Sequence, residues 1–341
     1  MAPANETTIR DQRLHSMLRT AIGDDLGAAL LDEKVTELIA NADGTVWIER
    51  TSQSLSLQDN LMSAADRERI IRLVATGIGE SCGRDHPIIS AELPGSGERF
   101  EGVLPPVSTA PCFAIRKPAS TPFSLTDFVQ RGVLSEAAAI ALRACLQKRK
   151  NILVAGGTSS GKTTFCNALL AESVLRDDRI VILEDTRELQ CSAFDTVSLK
   201  TFRDTASLSD LVRSTLRLRP DRIIVGEVRG GEALDLLKAW NTGHPGGLTT
   251  LHANSARAAL TRLEQLTQEA TAYPPRELIA DAVDVIVFLA REAGMRCVQE
   301  ILTLQGLRTT GDYDTAPLVK RELSLIKTHK GDTPCFPRSP I

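Results

Sequence analysis

The run Ile152-Leu153-Val154-Ala155, followed by Gly156-Gly157-Thr158-Ser159-Ser160-Gly161-Lys162-Thr163, restricts this chain to a narrow set of folds. Four successive apolar residues suit a buried strand, and the spacing predicts a helix over residues 164–175. Strand, glycine-rich loop and helix in that order form a phosphate-binding loop. Its glycines let backbone N–H groups turn toward a polyphosphate, and the helix adds the positive end of its dipole. The expected contacts come from Gly157, Thr158, Ser159, Ser160, Gly161 and Thr164. Lys162 would reach the β and γ phosphates, and the Thr163 hydroxyl would ligate Mg²⁺.

At 341 residues the chain has room for two domains, each with its own core. A formal charge of −3 predicts no global attraction to nucleic acid or acidic lipid, and 4% aromatic residues leave no stacking pattern for bases. No stable nucleic-acid binding is expected. The seven cysteines show neither metal-ligand spacing nor a secreted-domain framework, which predicts reduced thiols in the cytoplasm. The first thirty residues lack the apolar core of a signal peptide. The most apolar later stretch, residues 278–289, contains Asp281 and Asp284 and is too short to cross a bilayer. Any membrane association would be peripheral.

The fold class expected is α/β, with a larger C-terminal phosphate-loop domain and a smaller α+β N-terminal domain. Residues 11–31 and 63–79 have helical spacing, whereas Val46-Trp47-Ile48 after the Asp43-Gly44 turn reads as a strand. The expected boundaries are an N-terminal domain over 1–118, a proline-containing linker over 119–124, the nucleotide domain over 125–328 and a disordered tail over 329–341. Within the larger domain, helical segments alternate with apolar strands at 151–155, 180–183, 222–225 and 285–289. Such alternation argues for a mainly parallel sheet with helices on its faces.

Three further clusters carry chemistry. Glu184-Asp185-Thr186-Arg187-Glu188 follows one buried-strand pattern, at the carboxyl end where open α/β sheets bind ligands. Gly226-Glu227-Val228-Arg229 follows another, and a carboxylate there suits Mg²⁺. The third, residues 242–254, brings His244 and His252 into one glycine-rich stretch. Nucleotide hydrolysis needs a metal clamp, a group that activates water and cations for the charge developing on the γ-phosphoryl. Arg203, Arg213, Arg217, Arg219, Arg222 and Arg229 are all candidates for the last role, and spacing alone does not choose among them.

In order and wording, these four clusters resemble the secretion ATPase superfamily, whose members serve type IV secretion, type II secretion and type IV pili. The block Leu216-Arg217-Leu218-Arg219-Pro220-Asp221-Arg222-Ile223-Ile224-Val225-Gly226-Glu227-Val228-Arg229 is similar to that superfamily's Walker B region almost letter for letter. In the N-terminal half, Val35-Thr36-Glu37-Leu38-Ile39-Ala40-Asn41, the segment 97–107 and Phe113-Ala114-Ile115-Arg116-Lys117 resemble the conjugal-transfer ATPases usually called TrbB. The resemblance implies a RecA-like core that binds ATP with Mg²⁺. It also implies Glu188 as the water-activating residue, Glu227 as the metal-associated one and His252 as a γ-phosphate sensor. Arg99 and Arg116 would approach the nucleotide from the N-terminal domain, with a hinge near Pro118. The implied assembly is a homo-hexamer working with other type IV secretion subunits at the cytoplasmic face of the inner membrane. Three rivals stay open: a pilus or type II secretion motor with the same chemistry, a nucleic-acid translocase on the same core, and a nucleotide-binding switch that does not hydrolyse efficiently, against which Glu188 and Glu227 argue.

Overall fold

A computed structural model describes residues 13–319, apart from 15, 52, 94, 95, 118–122, 203, 204, 293 and 294. Most of the expected linker, the whole expected tail and Arg203 therefore lie outside the described residues. The remainder is a mixed α/β structure built on two sheets.

The first sheet is antiparallel and six-stranded, in the order β3-β2-β1-β6-β5-β4. Its strands are β1 (Val35–Ala40), β2 (Val46–Arg50), β3 (Ser56–Leu57), β4 (Ile88–Glu92), β5 (Arg99–Val103) and β6 (Cys112–Arg116). Asp43 and Gly44 make the expected turn between β1 and β2: Gly44 adopts φ 96°, and Asp43 Oδ1 accepts from Thr45 N at 2.9 Å. Helices α1 (Asp24–Leu31) and α2 (Ala64–Gly77) belong to this region, and a helical stretch precedes Gly23. The helical pattern over 11–31 is broken at Gly23, whose φ of 82° no helix interior allows. Ser63 caps α2 by accepting from Asp66 N, and the apolar stripe Ile70, Ile71 and Val74 then packs against Leu38, Ile48, Phe100 and Ile115. Each of these buried aliphatic side chains contributes about 1.5–3 kcal/mol.

The second sheet has eight strands in the order β14-β13-β12-β7-β11-β10-β8-β9. These are β7 (Ile152–Gly156), β8 (Arg179–Glu184), β9 (Asp195–Lys200), β10 (Arg222–Val225), β11 (Leu248–Leu251), β12 (Val285–Glu292), β13 (Met295–Leu307) and β14 (Tyr313–Pro317). The six strands from β12 to β9 run parallel, and β13 and β14 pair antiparallel at one edge. Strand β7 is buried throughout because helices cover both faces. Leu153 and Ala155 face α6 (Leu208–Thr215), α7 (Glu232–Asn241), α8 (Ala256–Thr267) and α9 (Arg276–Ala282). Ile152 and Val154 face α3 (Leu125–Gln130), α4 (Glu136–Gln147) and α5 (Lys162–Leu170).

The four strands expected in this half are all present, whereas β9, β11, β13 and β14 were not anticipated. The expected helix over 164–175 begins two residues earlier, at Lys162, and ends at Leu170, with a separate 3₁₀ turn at Ser173–Leu175. The apolar stretch 278–289 is divided between α9 and β12. Among the described residues no helix is long and apolar enough to cross a membrane. Because six strands are parallel, the segments leaving β7, β8, β10 and β11 emerge at one edge of the sheet. That shared edge creates the site.

Candidate functional site

The loop after β7 turns through Ser159 at φ 59° and Gly161 at φ 94°, and α5 starts at Lys162. Its first glycine is required by close approach: a Cβ on Gly156 would overlap the Leu289 carbonyl oxygen of β12. Lys162 is only 8% exposed, and its Nζ donates to the carbonyls of Gly156 at 3.0 Å and Gly157 at 3.1 Å. Burial holds this ammonium below the usual lysine range, while Glu227 pulls the other way. Ser160 Oγ is buried without a hydrogen-bond partner. An extra acceptor or donor at the loop would therefore find unused capacity.

A cleft of about 760 Å³ opens beside this loop, and Thr158, Ser159, Ser160, Gly161, Lys162, Thr163 and Thr164 line it. Gly157 does not line the cleft; its carbonyl faces Lys162 instead. Opposite stands the segment after β8, where Thr163 Oγ1 donates to Glu188 Oε2 at 3.2 Å. Glu184, at the end of β8, is 4% exposed and its Oε1 accepts from the backbone N–H of Glu188 and of Leu189. Burial pushes its carboxyl up to about 7, with those two hydrogen bonds opposing and the charges of Glu188 and Glu92 assisting.

The turn after β10 presents Glu227. Its Oε2 accepts from Arg229 Nε at 2.9 Å and Nη2 at 2.6 Å. Its Oε1 is buried and lacks a hydrogen-bond partner, although His252 Nε2 lies 2.9 Å away. His252 follows β11, with Nδ1 3.4 Å from Lys162 Nζ. Burial first, and then the Lys162 charge, hold this imidazole below the ordinary histidine range, so it is neutral near pH 7. Thr250 Oγ1 donates to the Gly226 carbonyl at 2.8 Å and ties β11 to the Glu227 turn.

The first sheet supplies the far wall. Glu92, Arg99 and Arg116 are cross-strand neighbours on β4, β5 and β6, so one register row carries all three to the cleft. Arg99 Nη1 lies 3.3 Å from Glu188 Oε1, and Glu92 Oε1 accepts from Arg187 N at 3.2 Å and pairs with Lys200 Nζ at 3.3 Å. The structure thus brings together Lys162, Thr163, Glu188, Glu227, His252, Arg99 and Arg116.

His244 is not among them. It precedes β11, whereas His252 follows it, so the histidine cluster read from the sequence is split between opposite edges of the sheet. Of the arginines around the acidic and Walker B clusters, only Arg229 among the described residues lines the cleft. Arg222 is 2% exposed and bonds Asp178 and the Leu146 carbonyl beneath the sheet, while Arg213 pairs with Asp235. Arg217 and Arg219 lie before β10, at the edge away from the cleft. Among the lining residues not singled out from the sequence are Glu92, Lys200 and Arg296, whose Nε donates to the Ser159 carbonyl at 3.3 Å. Their pairing is set by tertiary register and leaves no local pattern.

A phosphate loop at the carboxyl edge of a parallel sheet, faced by two carboxylates and roofed by arginines from a second sheet, defines a phosphate-loop α/β protein. The chain belongs to the Type II/IV secretion system protein family, which it matches over residues 22–320. It is 49% identical over 298 residues to the conjugal transfer protein TrbB of Rhizobium radiobacter, covering 87% of this chain and 92% of that protein. With the type IV secretion system protein VirB11 of Bartonella henselae it shares 30% identity, over 85% of this chain and 96% of the relative. The X-ray structure of the Legionella pneumophila ATPase DotB has the same fold, with a TM-score of 0.56 and 18% identity over 89% of this chain and 83% of DotB.

Proposed function

We propose that this chain is an ATP-hydrolysing motor of a conjugative type IV secretion apparatus. The observation that carries the reading is the convergence of Thr163, Glu188, Glu227 and His252 on the buried loop lysine, beneath Arg99. Residues 158–164 would cradle the phosphates, with Lys162 leaving the carbonyls of Gly156 and Gly157 for them. Glu188 would take a proton from the attacking water as its oxygen bonds the γ-phosphorus and the bond to the β-phosphate oxygen breaks. His252, neutral and beside Lys162, would read the γ-phosphate. Arg99 and Arg116 would contribute positive charge from the other sheet.

Mg²⁺ fits the side chains present: Thr163 offers a hydroxyl, and Glu227 Oε1 is a buried acceptor without a hydrogen bond. When bound, the ion would neutralise charge on the phosphates. Among the described residues no three His, Cys, Asp or Glu side chains group as a metal site.

On this reading residues 1–118 form a domain that closes over a RecA-like domain at 125–328, hinged near Pro118. Six copies would form a ring at the cytoplasmic face of the inner membrane, with other secretion subunits as partners. Glu188→Gln is expected to keep ATP binding while turnover falls by about two orders of magnitude or more. Single-turnover hydrolysis beside nucleotide titration checks it, and wild-type turnover would sink the assignment of Glu188. Deletion should abolish plasmid transfer, whereas lost fibre formation or exoprotein release would move the motor to the pilus or type II branch. Native mass of the full chain with a non-hydrolysable ATP analogue should correspond to six copies.

A further inference from the structure

Residues 187–190, which include Glu188, belong to neither helix nor strand, so no ladder of backbone bonds holds them in place. Glu92 accepts from Arg187 N, and two buried side chains hold residues 188–190. Glu184 Oε1 accepts from Glu188 N at 2.9 Å and Leu189 N at 2.8 Å. Asn167, one turn beyond Thr163 on α5, donates from Nδ2 to the Glu188 carbonyl at 3.1 Å, and its Oδ1 accepts from Gln190 N at 2.9 Å. Four hydrogen bonds thus fix three successive residues from two directions. Both side chains are 4% exposed, so neither position exchanges these bonds freely with water. The turn after β10 presses on the same group: a Cβ on Gly226 would lie 3.1 Å from Glu184 Cγ.

We propose that Glu184 and Asn167 are positioning residues, a backbone clamp that sets the Glu188 carboxylate over Thr163. Asn167 and Thr163 share α5, so the clamp references the acidic segment to the helix that begins with the loop lysine. Movement of the phosphate loop then carries Glu188 with it. Glu184 serves as an acceptor of two N–H bonds, and a glutamine carbonyl oxygen has the lone pairs to accept both. A role as proton acceptor would have no such substitute. The inference rests on Glu188 being the water-activating group.

The test compares the full chain with Glu184→Ala, Glu184→Gln, Asn167→Ala and Glu188→Gln, measuring steady-state hydrolysis and the dissociation constant of ATP. Glu184→Ala and Asn167→Ala are expected to lower kcat about 10- to 100-fold, with the ATP dissociation constant within about threefold of wild type. Glu184→Gln should recover most of the turnover lost in Glu184→Ala. A purely structural role would change folding midpoint without this split between kcat and affinity. If Glu184→Gln is as defective as Glu184→Ala, the carboxylate itself enters the chemistry and the clamp is overturned. Should Glu184→Ala fail to fold, Glu184→Gln decides: near-wild-type kcat supports the clamp, and a loss beyond about tenfold overturns it. Wild-type turnover in Glu188→Gln would overturn both the reading of Glu188 and the clamp. An inactive Glu188→Gln beside a fully active Glu184→Ala would overturn the clamp alone.

Discussion

Lys162 and Glu184 are two buried ionisable groups whose charged forms the fold disfavours, in opposite directions. The lysine gives its protons to two carbonyls of its own loop, a weak substitute for water or phosphate. Lys162→Ala is therefore expected to remove ATP hydrolysis while leaving the thermal midpoint at or above that of wild type, as differential scanning fluorimetry beside a phosphate-release assay would read. For Glu184 the sign runs the other way. Its carboxyl rises from 4.5 to about 7 on folding, so between those values the folded chain binds more protons than the unfolded one. The associated stability is fully present below 4.5 and is lost as pH climbs through about 7, a change on the order of 3 kcal/mol. Urea unfolding at about pH 5 and pH 8 should show wild type losing stability relative to Glu184→Gln across that interval. Parallel curves for the two proteins would show that the carboxyl is not desolvated.

Strand β11 shows how one element controls the geometry of several residues. It is four residues long, wholly buried, and starts where the Trp240 indole of α7 lies directly against Gly247. Trp240 Nε1 donates to the Ile223 carbonyl of β10 at 3.2 Å, and a Cβ on Gly247 would overlap the indole Nε1 and Cε2. Gly247→Ala must displace either the indole or the strand, at an expected loss of about 2–3 kcal/mol in urea unfolding. Strands β7, β8, β10 and β12 were legible because burial on both faces writes a continuous apolar run. By contrast β11 reads Leu248-Thr249-Thr250-Leu251 inside a glycine-rich stretch, and its threonines look like loop residues until Thr250 is seen bonded to Gly226. Missing that strand is what merged His244 and His252 into one cluster. Strand β9 lies at the sheet edge, exposed or half-buried along its whole length, and carries Asp195 and Lys200, so it lacked the buried-run signal too. Asn167 was detectable in principle, as a polar residue within Phe165-Cys166-Asn167-Ala168-Leu169-Leu170. The row Glu92, Arg99 and Arg116 was not, because cross-strand register depends on pairing between segments distant in sequence.

At the scale of the whole molecule, polar contacts across the cleft link the two sheets: Arg99 to Glu188, and Glu92 to Arg187 and Lys200. The Arg99 and Glu188 side chains are 40% and 31% exposed and 3.3 Å apart, so solvent screening leaves their pair about 0–1 kcal/mol. A guanidinium on a polyphosphate forms shorter, charge-assisted bonds and is favoured over that pair. ATP in the cleft should therefore draw Arg99 away from Glu188, freeing the carboxylate for water and pulling β5, with the rest of its sheet, toward the phosphate loop. The chemistry and the motion would share one switch. Arg99→Ala is then expected to weaken ATP binding about tenfold while changing folding stability by less than about 1 kcal/mol. Nucleotide titration and urea unfolding of the same preparation read the two quantities separately. Unchanged affinity would mean that Arg99 remains on Glu188 with ATP bound, and that the six-stranded sheet closes for some other reason.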